Sequence, residues 1–535
     1  MRRFQAPMLG SSPFAPALAE RILHRFGRDG WGGLVERVCA LARRAEMARN
    51  DTDAEQFLAQ LALAMSHGQM LPNSPLLVNC AEAEPRLFAC FAVDVEKPQD
   101  EFLGAFRFIH DGMGGVGYTH NGDSPGFVDL IRLIDDDTCA HQQGRPRPAS
   151  NAVTMPIGGD LDAFLGLAGT LAVTNMNVAL SDAFMASLPG SSEAQNQLDA
   201  IARRIHATGQ PGVVFSDRIV RVSRDAQAPF AANVCGEAPL AVDESALLAS
   251  VNMAAFVKTS EDHVRSFDEK GFASCAALCV RLLDGVHDLQ THASDLIKRN
   301  TLATRKVGVG IMGLAHALML LGIPYGSDAS LDFARHLSAS LYEAALAESQ
   351  RLAHNLGAYP AWAPSHGAPR RNANLTAIAG TATIALLVGT SCGIEPIYSH
   401  YIAQRVVDRD IFVLDSAVSF LLAERGIDPV IAQQKLAEGK SLREIAGDDL
   451  ADLCPTALEL PGERHIEMQA ALQSAIDCGI TKTVNCPEET TVDEIRNWLI
   501  HAHASGCLGL TIYRNQSLLN QPVSAASQYV TSDHI

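Results

Sequence analysis

The stretch Asn233-Val234-Cys235-Gly236-Glu237 sets a carboxamide, a thiol and a carboxylate within five residues, with a glycine that lets the backbone turn sharply between them. A thiol in that company has several readings. As a nucleophile it needs a nearby base such as histidine, and no histidine lies between His206 and His263. As a metal ligand it needs more soft or imidazole ligands at short spacing, and the stretch has none. As a thiyl radical it needs neighbours that accept and return protons, which a carboxylate and an amide do. A buried cysteine in a tight turn remains the alternative on these five residues alone.

Outward from this stretch the chain alternates short apolar runs with helical periods. Before it come Phe88–Val95, a helix from about Gln99, the glycine run Gly112–Gly117, then Gly126–Asp135, Val173–Leu180, a helix over Ser192–Ala207, and Gly212–Phe215. Strand-then-helix succession favours an α/β architecture. Residues 1–70 read as mostly helical, with Leu34, Val38, Leu41 and Ala42 on one apolar face and Phe57, Leu58, Leu61 and Ala62 on another. Beyond residue 400 the pattern predicts helices over Ile411–Arg425 and Pro429–Glu438, then a last αβ pattern from His465 to Tyr513. The segment Gln142-Gln143-Gly144-Arg145-Pro146-Arg147-Pro148 is expected to be a loop, because its prolines suit neither helix nor central strand. The polar tail after Arg514 has no periodicity.

The totals bound the function. A chain of 535 residues with 47% hydrophobic and 19% charged residues is globular with a sizeable core. A net charge of −18 argues against nucleic acid or an anionic membrane surface as the main partner. A phosphorylated small molecule stays open, since one pocket of backbone N–H groups can hold it. Met1-Arg2-Arg3-Phe4 begins no apolar run with a cleavage site, so no signal peptide is expected. The most apolar long window, Val307–Ile323, falls short of a membrane span and reads as a buried strand-turn-helix. Twelve cysteines without regular spacing suit a reducing compartment, and a cytoplasmic location is expected.

Individual motifs carry less. Gly308-Val309-Gly310-Ile311-Met312-Gly313 matches the dinucleotide fingerprint, but the polar run before it is not the strand that fingerprint follows, so close strand–helix packing is the better reading. Gly114-Gly115-Val116-Gly117 lacks a Walker ending and is read as allowing close approach to the backbone. Thr381, Thr383, Thr390 and Ser391 frame the apolar run Ile384–Val388, where hydroxyls and free N–H groups at a helix start suit either an anion or a simple cap. Cys275 and Cys279 stand four apart without a second pair and read as core. No metal site is expected.

Taken in order, several stretches resemble the catalytic subunit of ribonucleotide reductase, in its adenosylcobalamin-dependent branch. They are Leu71-Pro72-Asn73-Ser74-Pro75, Ala89-Cys90-Phe91, Gly114 to Gly117, Asn233 to Glu237, Thr304-Arg305-Lys306-Val307-Gly308, Gly389 to Pro396, Thr481-Lys482-Thr483-Val484-Asn485 and Gly506 to Arg514. The resemblance implies a ten-stranded α/β barrel, two parallel five-stranded halves set antiparallel, with Cys235 on a finger loop through its centre. It implies a helical N-terminal region over 1–70, the barrel over 71–517 and a flexible tail over 518–535. By the same resemblance Cys235 carries the thiyl radical, Glu237 takes the 3′-hydroxyl proton, Asn233 bonds the sugar, and Cys90 helps the 2′-hydroxyl leave. Ser74, Ala89 and Gly115 match substrate contacts, and Gly380, Thr381, Ala382, Thr383 and Ile384 match the phosphate loop. The implied partners are adenosylcobalamin, a ribonucleotide and an external thiol reductant, and a homodimer is allowed.

Three departures mark the chain as divergent. The family's second redox cysteine, eleven residues past the radical cysteine, is Ala246 here, and the tail from Asn515 to Ile535 has no cysteine. The family's Pro-Thr-Gly-Thr-Ile reads Gly380-Thr381-Ala382-Thr383-Ile384. The segment between Tyr118 and Pro125 is short, and the expected arginine-rich loop reads Arg145-Pro146-Arg147-Pro148, which puts nucleotide regulation in question. Three readings follow: a reductase whose second thiol is another cysteine, such as Cys392 or Cys275, or an external reductant; a radical paralogue doing a redox-neutral reaction on a nucleotide; and a non-catalytic nucleotide-binding relative.

Overall fold

Ten passes of the chain close on themselves into a barrel. The computed structural model describes residues 2–3, 26–27, 29–49, 53–123, 126–142, 150–222, 230–234, 236–406, 409–517 and 523–525. The first half is five parallel strands, β1 (Cys90–Ala92), β2 (Gly115–Thr119), β3 (Asn151–Pro156), β4 (Thr174–Leu180) and β5 (Gly212–Phe215), each paired to the next. In the second half, β6 (Glu244–Asn252) runs parallel to β7 (Val307–Met312). Parallel bridges then carry the wall from Val309 to Thr376 and from Ile378 to Ile480. The chain past Ile480 continues into β8 (Thr483–Cys486), which is parallel to β9 (Gly509–Arg514). Two antiparallel seams join the halves, Ala246 opposite Cys90 and Gly509 opposite Val214. The expected barrel of two antiparallel-set parallel halves is the barrel observed.

The residues explain the two faces of this wall. Strands buried on both sides read as continuous apolar runs, and β6 and β7 are buried along their whole length. On β6 the alternation sends Leu247, Ala249 and Val251 outward into the main core beneath the helices, while Ala246 and Leu248 turn inward. Several inward positions are small, which makes room for Leu248. A Cβ on Gly308 would stand 2.4 Å from the Leu248 side chain, and one on Gly310 would stand 2.3 Å from the Ala377 carbonyl oxygen. The apparent dinucleotide fingerprint is thus a packing device, and Gly313, with φ +80°, turns the chain from β7 into the helix Leu314–Leu321.

Helices shield the outer face. Glu269–His287 and Asp328–Leu356 pack on each other, the first also against β6. The helix expected over Ser192–Ala207 spans Ser192–Thr208, with the Ser191 hydroxyl accepting from the Ala194 N–H at its start and Gly209 in the left-handed region at its end. Within the expected helical N-terminal region, Gly30–Arg49 and Ala54–Ser66 are helices, but Arg2–Arg3 is a strand against Val257–Thr259. Leu34, Val38, Leu41, Phe57, Leu58 and Leu61 are buried as the periodicity requires.

One helix expectation is corrected. Arg409–Leu414 is a strand against Tyr401–Val406, and the helix begins only at Ser416. Ile411, Phe412 and Val413 favour a strand, and Asp415 is the true helix start, its carboxylate accepting from the Ala417 and Val418 N–H groups at 3.0 and 3.1 Å. Val523–Ala525, inside the expected flexible tail, pairs with Ile402–Gln404. The arginine-bearing segment after Gln142 lies outside the described residues. Among the described residues no helix is long and apolar enough to cross a membrane.

A buried ion pair secures the start of the second half. Lys306 Nζ meets Glu244 Oε2 at 2.7 Å with both side chains almost fully buried, and Glu244 also accepts from the Thr304 hydroxyl and the Ala241 N–H. Removing one partner of such a pair strands the other charge in the interior. Glu244→Ala is expected to destabilise the fold by about 3–5 kcal/mol, read as a lowered denaturant midpoint, and Glu244→Ala with Lys306→Met is expected to recover part of that loss.

Candidate active site

The hairpin Phe230–Ala232 and Pro239–Ala241 closes with Ala232 opposite Pro239, leaving residues 233–238 as its tip. Cys235 itself lies outside the described residues; its neighbours on both sides are described. Asn233 shapes the tip with its own amide. Its Oδ1 accepts from the Ala238 N–H at 3.0 Å, its backbone carbonyl accepts from the Gly236 N–H at 3.0 Å, and Gly236 takes φ +78°. This geometry is why the tip needs an asparagine two residues before the thiol and a glycine directly after it.

The tip is held inside the barrel by residues that lack side chains. Gly479 donates its N–H to the Glu237 carbonyl at 2.8 Å, and a Cβ on Gly479 would lie 2.4 Å from the Gly236 oxygen. On the opposite half, a Cβ on Gly115 would lie 2.7 Å from the Val234 side chain. The expectation that Gly114 to Gly117 permits close approach is met at Gly115, and the approaching group is the finger. Asn175 on β4 donates its side-chain amide N–H to the Val234 carbonyl at 3.3 Å.

Three of the expected catalytic side chains converge here. The Asn233 amide donates to the Cys90 sulfur at 3.0 Å, and the Cys90 thiol faces Glu237 Oε1 at 3.7 Å. Glu237 Oε2 accepts from the Thr481 hydroxyl at 3.0 Å. All of Cys90, Asn233 and Glu237 are buried. Burial raises the Glu237 pKa above the ordinary carboxylate value, against the opposing pull of its hydrogen bonds from Asn233, its own backbone, Thr481 and Cys90. A carboxylate so placed can take up and release a proton beside a thiol and an amide donor.

Thr481 was quoted in the sequence only as part of a motif, yet it links this centre to the phosphate-loop candidate. A Cβ on Gly380 would lie 3.3 Å from the Thr481 methyl. Thr381 takes φ +53° at the start of the seven-residue helix Ala382–Val388, and its hydroxyl accepts from the Gly393 N–H at 2.7 Å. Ile384 is buried, Ala382 is exposed and Thr383 lies between. Ala89 is half-buried and its carbonyl accepts from the Gly115 N–H at 2.8 Å. Ser74 is buried at the first turn of Ser74–Asn79. Beside it, Asn73 is buried with neither side-chain amide atom hydrogen-bonded, a signal that spacing alone could not give.

The remaining shared motifs prove to be braces. Lys482 Nζ meets Glu395 at 2.6 Å and His465 Nδ1 at 2.8 Å, and the other Glu395 oxygen accepts from the Thr483 N–H at 2.7 Å. Burial, then the Lys482 charge, holds the His465 pKa well below its usual value, so its ring accepts from Lys482 as a neutral group. Arg305, in the left-handed region at φ +48°, grips Asp284 and Asp288. Among the described residues no cluster of three or more histidine, cysteine, aspartate or glutamate side chains could hold a metal ion.

Comparison with known proteins accords with this geometry. The family model described as the ribonucleotide reductase barrel domain matches residues 186–370 and 365–513. A vitamin B12-dependent ribonucleoside-diphosphate reductase of Mycobacterium tuberculosis (strain CDC 1551 / Oshkosh) is 30% identical over 93% of this chain and 78% of its own length. One of the same description from Thermoplasma acidophilum is 27% identical over 89% of this chain and 67% of its own length. In fold, the class Id ribonucleotide reductase alpha subunit of Actinobacillus ureae superposes with a TM-score of 0.76 at 20% identity, covering 90% of this chain and 93% of that one. The ten-pass barrel, the finger between its halves and these matches together place the chain in the ribonucleotide reductase family.

Proposed function

We propose that the chain reduces ribonucleotides to 2′-deoxyribonucleotides by thiyl-radical chemistry with adenosylcobalamin. The observation that carries this is the meeting of the Cys90 thiol, the Glu237 carboxylate and the Asn233 amide at the finger tip that bears Cys235. The relatives named vitamin B12-dependent reductases support the reductase reading over the redox-neutral and binding-only ones. Their name also favours the diphosphate as substrate.

The cofactor must reach the finger tip. A Cβ on Gly236 would have no atom within 4 Å, so that side of the tip borders free space, and Val234 and Gly236 are the residues that would meet an organic group there. When bound, adenosylcobalamin supplies, by cleavage of its cobalt–carbon bond, the oxidising equivalent that takes the Cys235 thiol hydrogen.

The residues then divide the work. Cys235 removes the 3′ hydrogen of the ribose and later returns it. Glu237 takes the 3′-hydroxyl proton, which its raised pKa allows it to return. Cys90, within reach of Glu237, protonates the departing 2′-hydroxyl, which leaves as water. Asn233 orients Cys90 and the tip, and turns its amide to the sugar as substrate enters. Ser74, Ala89, Gly115 and the segment Gly380, Thr381, Ala382, Thr383 and Ile384 hold the ribose and phosphates, with an external thiol restoring the enzyme.

Cys235→Ala is expected to lose deoxynucleotide formation and 3′ hydrogen exchange together, measured with adenosylcobalamin, dithiothreitol and 3′-tritiated ribonucleotides. Cys90→Ser is expected to lose reduction while keeping exchange; turnover in Cys235→Ala would remove the radical assignment. The base must be ionised to act, so kcat/KM should rise with pH through the Glu237 pKa, with an acid limb above the ordinary carboxylate value of about 4.3. Glu237→Gln is expected to lose that limb and to lower kcat/KM by about 100-fold or more.

A further inference from the structure

Buried asparagines in this chain find partners, with one exception. Asn79 donates to the Arg86 and Gly112 carbonyls at 2.6 and 3.0 Å, Asn151 bonds His110 and Thr138, and Asn372 bonds Ser349, Asp284 and the Arg305 carbonyl. Among the described residues, Asn73 alone is a buried asparagine with neither amide atom bonded. It stands at the N-cap of Ser74–Asn79, where an asparagine normally accepts from a first-turn N–H, and it accepts from none. An unpaired buried amide costs stability, so its presence here asks for a partner that the folded chain does not itself supply.

Strand register fixes where that side chain lies. Met70, Leu71 and Pro72 pair with Val251, Ser250 and Ala249 of β6, and the Asn73 N–H extends the ladder to the Leu248 carbonyl at 3.0 Å. Directly opposed residues point to one face of a sheet, and Leu248 faces the barrel interior. Asn73 therefore faces the interior too. With β7 on the other edge of β6, β1 shares this edge, Cys90 lying opposite Ala246. Two residues of strand, about 7 Å, separate the levels of Ala246 and Leu248, so Cys90 and Asn73 stand in line along one inner wall. The level of Asn73 runs on through Leu248 to Gly308 and Ala377, since a Cβ on Gly308 would meet both their side chains, at 2.4 and 2.8 Å. Gly380 is three residues past Ala377, and Ser74 follows Asn73 directly. The unpaired amide thus lies between the thiol given to the 2′-hydroxyl and the segments given to the phosphates.

We propose that Asn73 binds the sugar–phosphate part of the ribonucleotide, an inference that rests on the reductase reading above. A carboxamide offers a donor, Nδ2, and an acceptor, Oδ1. A phosphate alone would satisfy the first and leave the second empty. A ribose 5′-phosphate presents an anionic oxygen and a hydroxyl on one small group, and so satisfies both; the bond from Nδ2 to the anionic oxygen is charge-assisted and the stronger of the two. No proton or electron moves at this residue. It places the ribose against Cys90 and Glu237, and the free chain carries the unpaired amide until the nucleotide arrives.

The test measures two quantities on the full-length chain without adenosylcobalamin: affinity for a ribonucleoside diphosphate by calorimetry, and the denaturant midpoint of the free chain. Asn73→Leu removes both polar atoms and keeps a branched side chain. It is expected to weaken nucleotide binding about tenfold or more with a midpoint equal to or above that of wild type, and in turnover to raise KM by a larger factor than it lowers kcat. Asn79→Leu gives the contrast: its amide is paired within the fold, so its loss should lower the midpoint. Asn73→Leu with wild-type affinity and a lowered midpoint is the behaviour of an amide held by buried water, and overturns the proposal while the reductase reading stands. Where the bulk of leucine lowers both quantities, Asn73→Ala decides, a tenfold loss of affinity supporting the proposal and full affinity overturning it. A wild-type chain that binds no ribonucleotide overturns both the proposal and the reading beneath it.

Discussion

The architecture depends on a close approach between a loop and the wall that surrounds it. Gly479 and Gly115 face the finger from opposite halves of the barrel, and at each a single methyl group would collide with it. Interiors are packed too densely to absorb such a collision by small shifts. The missing side chains are therefore what allow a hairpin to stand inside a closed sheet. Chemistry follows from that placement, because the finger brings Asn233 and Glu237 to a thiol that belongs to the wall.

The same constraint explains why so many shared motifs turn out to be structural. A wall lined with glycine and alanine has little inward packing to hold it, so its strands are tied by buried polar bonds. Glu244 joins the base of the finger, through Ala241, to Lys306 and Thr304 at the start of β7. Glu395 and Lys482 tie the turn after Ala382–Val388 to the start of β8. These pairs are desolvated, and their worth lies in specifying one arrangement as much as in net stability. They set Thr481 between the phosphate-loop candidate and Glu237, so substrate position and proton transfer share one support.

Much of the barrel was legible because its strands are short, largely buried apolar runs bounded by glycine and polar turns, and because their order matched a known pattern. Helices such as Ser192–Thr208 carried their own caps in the sequence. The strand Arg409–Leu414 was missed because its apolar residues run on into those of the next helix, and only the bonds of Asp415 separate the two. In the candidate site, Cys90, Asn233 and Glu237 were legible as residue types in a pattern. The contact of Asn233 with Cys90 was not, since the two are 143 residues apart. Asn73 gives no sign of its unpaired amide until burial is known.

At the centre of the account is one sulfur, that of Cys235, acting as a hydrogen carrier from the tip of the finger. Electron paramagnetic resonance on samples frozen during turnover, with the chain labelled by β-deuterated cysteine, tests this most directly. The account predicts a radical signal that forms only when both adenosylcobalamin and ribonucleotide are present and whose line shape narrows with the label. A turnover signal indifferent to cysteine labelling would contradict it.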